Sequence, residues 1–211
     1  NFISVADRLC KADSFPIGID FDKFHDASFS QGTELYKKKI RSFLSDSKLI
    51  FSVDRLDYSK GLLNRLRAFE RFLEKYPEWH FKVVFNMVVI PSRDNIEEYR
   101  KIKKEIEATV GLINGKYSTL GWNPLIYQYK SILFSELIAI YNLSDVGFIT
   151  PIRDGMNLVA KEYIACQNTH YGMLVLSEMA GASAELTEAI IINPTDTEET
   201  SDALNKALIM P

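Results

Sequence analysis

Pro151-Ile-Arg-Asp-Gly-Met-Asn-Leu-Val-Ala-Lys-Glu162 reads as a strand end and a glycine turn that open directly into an amphipathic helix, with acidic groups at both ends. A helix start presents unpaired backbone N–H groups and the positive end of the helix dipole, so this segment suits a diphosphate, with Glu162 two turns further along. Earlier in the chain, Phe51-Ser-Val-Asp-Arg-Leu-Asp-Tyr-Ser-Lys-Gly61 is again a strand running into a charged glycine loop. Two such loops can face one ligand, as a nucleotide sugar requires.

Outward from these segments the chain alternates strand with helix. Lys48–Val53 is a short apolar strand, and Leu62, Leu66, Phe69, Leu73 and Tyr76 mark an amphipathic helix over Leu62–Tyr76. Phe81–Ile90, rich in Val and Ile, reads as a buried strand. Pro91 ends it, Asp94 with Glu97 offers a capping box, and Ile96, Tyr99, Ile102, Ile106, Val110 and Ile113 trace the next helix face. Asn114–Pro124 reads as a long glycine-containing loop. Beyond it the pattern predicts strands at Leu125–Tyr129, Val146–Thr150, Met173–Ser177 and Ala189–Asn193, and helices at Ser135–Asn142, Asn157–Gln167, Ala180–Leu186 and Thr197–Ile209. This alternation predicts an α/β fold, a doubly wound parallel sheet of Rossmann-like type with helices on both faces. Ligands of such sheets bind outside the carboxyl ends of the strands, where both loops fall. Nearer the N-terminal side, Asp13–Phe24 reads as an extended connector and Thr33–Ser45 as an exposed helix whose run Lys37-Lys-Lys39 is a solvated face.

With 211 residues, one large core is the expectation. A formal net charge of −3 gives no reason to expect nucleic-acid or anionic-membrane partners, so the cations must act locally. The strongly apolar stretch Val83–Ile90 is far short of the roughly 20 residues that span a bilayer, and no signal-peptide pattern is visible. Cys10 and Cys166 lack metal-type spacing and fit free thiols of a reducing compartment, which places the protein in the cytoplasm. His25, His80 and His170 are scattered without paired ligands, so no metal site is expected.

A departing diphosphate needs cations or a helix N-terminus to take up its charge, and Arg55 and Lys60 are spaced to serve, in place of a metal ion. Equally open from spacing alone is a loop ion pair of Arg55 with Asp57 or Asp54, with Lys60 merely starting a helix. Asp154 and Glu162 offer acceptors to sugar and ribose hydroxyls; as plain structure they are a helix cap and a surface charge. Glu162, however, stands between Ala160 and Tyr163 on a face that reads as buried, where a carboxylate needs a partner.

Asp54-Arg-Leu-Asp-Tyr-Ser-Lys-Gly61, Ile113-Asn-Gly-Lys-Tyr117, Asp145-Val-Gly147 and Arg153-Asp-Gly-Met-Asn-Leu-Val-Ala-Lys-Glu-Tyr163, with Phe15-Pro-Ile-Gly-Ile-Asp20 and Ala180-Gly181, resemble the trehalose-6-phosphate synthase family from about Phe15 to the C-terminus. The resemblance implies a retaining GT-B glycosyltransferase, in which two Rossmann-like domains face a cleft and glucose passes from UDP-glucose to glucose 6-phosphate. By resemblance Arg55, Lys60 and Asp154 are the catalytic set. Arg55 and Lys60 meet the donor diphosphate, and Asp154 with Gly155, Met156 and Asn157 meets the glucosyl group. Leu158, Val159, Ala160, Lys161 and Glu162 continue the donor site, with Glu162 on the ribose. Arg93 corresponds to a residue that binds the acceptor phosphate, and Ile132 stands where relatives carry an aromatic near the uracil.

The resemblance further implies that residues 1–24 are the end of an N-terminal domain and the interdomain connector, with Asn1–Cys10 a trailing helix, and that residues 25–211 are the C-terminal UDP-sugar-binding domain, half of the GT-B fold. By the same resemblance the acceptor half of the cleft is expected to precede residue 1, and a C-terminal crossover helix is expected beyond Pro211. The chain alone is then expected to bind UDP or UDP-glucose weakly and to turn over little. Two other readings remain open: a synthase of the glucosylglycerol-phosphate type with another acceptor, and a non-catalytic domain that senses a nucleotide sugar. The sequence specifies no oligomeric state.

Overall fold

The apolar runs Leu49–Phe51 and Val83–Phe85 have no polar alternation, which a strand tolerates only when both of its faces are covered. The computed structural model describes residues 2–93, 95–168 and 172–210. Phe2–Val5 (β1) and Arg8–Lys11 (β2) pair as an antiparallel hairpin, followed by helices Phe21–Ala27 (α1) and Gln31–Leu44 (α2). There follow Lys48–Arg55 (β3), Leu62–Lys75 (α3), Val83–Ile90 (β4), Glu97–Tyr117 (α4), Leu125–Tyr129 (β5) and Phe134–Leu143 (α5). Val146–Ile149 (β6), Leu158–Ala165 (α6), Met173–Ser177 (β7), Ile190–Ile192 (β8) and Thr197–Ile209 (α7) complete the order.

The large sheet runs β5-β4-β3-β6-β7-β8, with every pairing parallel. It is the doubly wound order: the chain winds outward from β3 in one direction, then returns to β6 beside β3 and winds outward in the other. Alternate strand residues face opposite ways. Ile50, Phe85, Phe148 and Val175 join a core with Leu66, Phe69, Ile106 and Leu204 from α3, α4 and α7. Phe51, Ile149, Leu174 and Leu176 join a second core with Ile138, Tyr141 and Tyr163 from α5 and α6. At the switch point the pairing is short. All of β3 is in register with β4, whereas β3 meets β6 only through Ile50 opposite Val146 and Phe51 opposite Gly147. The carboxyl ends of β3 and β6 are therefore not joined by a ladder, and a crevice opens there.

The fold departs from the sequence reading at several places. The expected helix at Asn1–Cys10 is instead the β1–β2 hairpin, turned at Ala6 with φ 51; Phe2, Ile3 and Val5 favour extended backbone. The connector ends early, because Asp20 caps α1 by accepting from the Lys23 N–H. Lys37 is not on a solvated face: it is buried and donates to Ser28 O at 2.8 Å and Glu34 Oε1 at 2.8 Å. β3 extends two residues past Val53 because Asp54 and Arg55 still have β4 partners in Val89 and Ile90. β4 starts only at Val83, since Phe81 has φ 67. The expected loop from Asn114 loses its first turn to α4, which Lys116 secures through Glu70 and Glu74 and Asn114 through Leu125 O. The expected helix over Ala180–Leu186 is a short 3-10 turn, Gly181–Ala184. Asp94, half of the expected capping box, and His170 lie outside the described residues.

Gly147 marks a close approach of β6 to its covering helix α6. A Cβ there would lie 2.8 and 2.9 Å from the Tyr163 ring and 3.1 Å from Phe51. Gly147→Ala is expected to destabilise the protein by about 1–3 kcal/mol through overpacking, as measured by urea denaturation.

Candidate functional site

The crevice between the carboxyl ends of β3 and β6 is held by a buried arginine. Arg65, on the inner face of α3, donates from Nη1 to Asp54 Oδ2 at 2.6 Å, from Nε to Thr150 Oγ1 at 3.0 Å and from Nη2 to Lys60 O at 3.2 Å. Asp54 belongs to β3 and Thr150 follows β6, so one guanidinium bridges the strand ends that the ladder leaves unjoined. Arg65 also answers the alternative left open for Asp54: its partner is Arg65, not Arg55. Nor does Asp57 take Arg55, since its Oδ1 accepts from Ser59 N at 2.8 Å and caps the short turn Tyr58–Lys60. Burial pushes the Asp57 carboxyl upward, but the Ser59 hydrogen bonds, Lys60 and Arg93 bring it below its ordinary value. Among the described residues Arg55 has no ion pair, and it lies exposed at the end of β3.

The two glycine loops meet. Lys60 Nζ lies 2.6 Å from Asp154 Oδ2, the residues being separated by 94 positions in the chain. Ser59 O accepts from the N–H groups of Ile152 and Arg153, at 2.8 and 3.1 Å. Asp154 is further fixed by the Met156 N–H at 3.3 Å and the Asn157 amide at 3.0 Å. Burial pushes its carboxyl upward, yet the Lys60 ammonium and these donors outweigh that and lower it, so Asp154 is a held carboxylate. From behind, Met179 O accepts from Asp154 N, Asp154 O accepts from Gly181 N, and Met156 O accepts from Ala182 N at 2.7 Å. A Cβ on Gly181 would lie 2.1 Å from Gly155 O, which is why only glycine fits.

Asn157 is the N-cap of α6, with left-handed backbone (φ 73), and its side chain takes the Ala160 N–H at 3.1 Å. The Leu158 and Val159 N–H groups precede the first intrahelical bond and have no partner among the described residues. Arg55, Lys60, Asp154, Met156, Asn157 and these two N–H-bearing residues surround a cleft of about 380 Å3, over an apolar floor that includes Val53 and Ile90. That volume is near the lower bound for small-ligand pockets, roughly 300 Å3.

The other candidates are not among the residues that line this cleft. Gly155 is exposed, and Ala160 is buried on the first turn of α6. Lys161 turns away, donating to Ile17 O at 2.9 Å and pairing with Glu185 at 2.7 Å. Glu162 is one turn deeper on α6 and accepts from Tyr141 Oη at 3.1 Å, the partner its position demanded. Burial raises the Glu162 carboxyl, opposed by that hydrogen bond and by the charge of Lys23. Ile132 packs against the same core as Met156 and Val159. Arg93, left-handed at φ 54, stands after β4 and donates to Tyr99 Oη at 2.8 Å. Sequence reasoning missed Arg65, although a cation among Leu62, Leu66 and Phe69 on one helix face is a signal that a buried counter-charge is needed. Among the described residues no three His, Cys, Asp or Glu side chains converge on a metal position, and no helix is long and apolar enough to cross a membrane.

The model of glycosyltransferase family 20 matches residues 1–211. The chain is 48% identical over 208 residues to the bifunctional trehalose-6-phosphate synthase/phosphatase of Thermoproteus tenax, covering 99% of this chain and 28% of that protein. It is 44% identical over 211 residues to the 56 kDa subunit of the UDP-forming α,α-trehalose-phosphate synthase of Saccharomyces cerevisiae, covering 43% of it. Among solved structures, a UDP-forming α,α-trehalose-phosphate synthase from Burkholderia xenovorans in complex with glucose-6-phosphate superposes with a TM-score of 0.96 at 41% identity, covering all of this chain and 46% of that one. An Escherichia coli trehalose-6-phosphate protein bound with UDP-2-fluoro glucose gives 0.92 at 40% identity, with 48% of it covered. The chain spans less than half the length of each of these relatives.

Two measurements test the site's construction. Arg65→Met leaves Asp54 buried and unpaired and is expected to cost about 3–5 kcal/mol, part of which returns in an Arg65→Met, Asp54→Leu double variant; urea denaturation reads both. Glu162→Gln removes a carboxyl whose proton the folded state holds more tightly than the unfolded chain does. The wild-type contribution is thus present at acid pH and lost as pH rises through the folded value. The variant is therefore expected to melt higher than wild type at neutral pH, the gain vanishing below the ordinary carboxylate range near pH 4, in melts taken across that window.

Proposed function

The chain belongs to glycosyltransferase family 20, and on that premise we propose that it is the donor-binding half of a retaining enzyme that moves glucose from UDP-glucose to glucose 6-phosphate, giving trehalose 6-phosphate and UDP. The observation that carries the reading is the meeting of Lys60 with Asp154 at the switch point, beside Arg55 and two uncommitted N–H groups of α6. A leaving UDP develops negative charge on its diphosphate as the glycosidic bond breaks, and these groups supply fixed positive potential there, the role a metal ion fills elsewhere. Arg55 binds phosphate oxygens as a planar fork and Lys60 as a point charge that Asp154 orients. Asp154, kept ionised by Lys60, accepts from a glucosyl hydroxyl. Glu162, one turn further along α6, takes the ribose diol, exchanging the hydroxyl of Tyr141 for those of the sugar. Ile132 lies toward the base, and Arg93 at the rim takes the acceptor phosphate.

The second sugar-binding wall of the cleft belongs to a further domain of the same protein, since orientation of two substrates supplies much of the rate. We therefore assign transfer to the longer enzyme in the cytoplasm, and to the 211-residue chain alone weak UDP binding with little turnover. A synthase with another acceptor keeps the same donor chemistry, and a nucleotide-sugar sensor keeps binding without transfer.

Calorimetric titration of the full-length enzyme with UDP is expected to show binding that Arg55→Ala and Lys60→Ala each weaken about ten- to a hundredfold, one charge-assisted contact apiece. UDP release from UDP-glucose that depends on glucose 6-phosphate separates synthase from sensor, and dependence on glycerol 3-phosphate instead identifies the other acceptor. Unaltered UDP affinity in both variants removes the donor assignment.

A further inference from the structure

Tyr99 stands in the apolar row of α4 and is 4% exposed, within the core that α3 and α4 share. The hydroxyl is what that row does not need. It accepts from Arg93 Nη1 at 2.8 Å and donates to Asp57 Oδ2 at 3.4 Å, and the Arg93 guanidinium lies 5.6 Å from the Tyr99 ring centroid. Asp57 in turn caps the turn that carries Lys60. One phenol thus joins an arginine after β4 to the lysine loop after β3. Arg93 has no ion pair among the described residues, and its left-handed backbone (φ 54), a conformation non-glycine residues seldom adopt, sets where the side chain starts.

We propose that Tyr99 is a positioning residue for the acceptor, holding the Arg93 guanidinium beside the turn that carries Lys60. The inference rests on the transfer reaction and the acceptor role of Arg93 proposed above. A free arginine gives up several rotatable bonds when it grips a phosphate; one already held by a ring face and a hydroxyl has given them up beforehand, so the ligand binds more tightly. Because the same hydroxyl reaches Asp57, the side chain proposed for the acceptor phosphate is tied to the cap of the turn that carries Lys60.

Tyr99→Phe keeps the ring and removes only the hydroxyl. In the full-length enzyme it is expected to raise KM for glucose 6-phosphate about tenfold, the worth of one hydrogen bond to a charged group, while kcat and KM for UDP-glucose stay within about twofold. In an Arg93→Ala background the same change is expected to add nothing, since both act through one contact. An unchanged acceptor KM overturns the inference, as does an equal rise in the Arg93→Ala background or a joint deterioration of kcat and both KM values, which would mark a merely structural hydroxyl. Absence of transfer by the wild-type enzyme would overturn the reaction itself, a failure seen before any variant is made.

Discussion

A single guanidinium stands where a strand ladder is missing. β3 and β6 are neighbours in a sheet that winds outward on both sides of them, yet they are hydrogen-bonded only as far as Phe51 and Gly147. Beyond that point Arg65 spans from Asp54 to Thr150 and reaches back to the Lys60 carbonyl. Burying such a pair costs several kcal/mol of desolvation, and apolar residues of similar volume often stabilise a protein as well or better. What an apolar side chain does not provide is a fixed separation of two strand ends together with a bond to the loop between them. Arg65 thereby anchors, through the Lys60 carbonyl, one end of the Lys60–Asp154 contact.

The second glycine loop is fixed by closeness rather than by charge. Asp154 and Met156 are strapped by the backbone of Met179–Ala182, so near that a Cβ on Gly181 would collide with Gly155 O. Gly61, left-handed at φ 65, leaves no room for a Cβ beside Thr150 O at 2.5 Å. Backbones touching at both places bring the two loops within one hydrogen bond of each other, Ser59 O accepting from Ile152 N and Arg153 N. A cleft built of backbone contacts moves little, and preorganised charge is what stabilises a leaving group without reorganisation during reaction.

How much of this the sequence discloses follows from the range of each interaction. Leu125–Tyr129, Met173–Ser177 and Thr197–Ile209 match their predicted bounds, because local periodicity and flanking turn residues decide them. β3 outran its prediction for a non-local reason: its last two residues are charged, and only the β4 partners keep them extended. The trailing helix expected from resemblance proved a hairpin, where the β-favouring residues themselves were the better guide. Arg55, Lys60, Asp154 and Asn157 do surround one cleft, but the Lys60–Asp154 contact joins residues too distant in sequence for spacing to reveal it. Arg65 was legible as a cation in an apolar row. Tyr99 was not, since a tyrosine in such a row needs no explanation until its hydroxyl is seen to have two partners.

Two carboxylates, one before α6 and one on it, have surroundings that push them in opposite directions, and this separation argues that they do different work. Asp154, before the helix, faces an ammonium, an amide and a backbone N–H, and is held below its ordinary value despite burial. Glu162, one turn inside, has a phenol as its hydrogen-bond partner and a more distant Lys23, and burial raises it. A carboxylate serving only to cap a helix would gain nothing from the second environment, where desolvation works against the charged form. Cys166, near the same acidic group, is pushed up to about 12 by burial and by the Glu162 charge. Keeping a carboxyl there costs stability that a glutamine or leucine would not. On the ribose-binding role proposed for Glu162, the two sugar hydroxyls that take the place of the Tyr141 hydroxyl offset that cost.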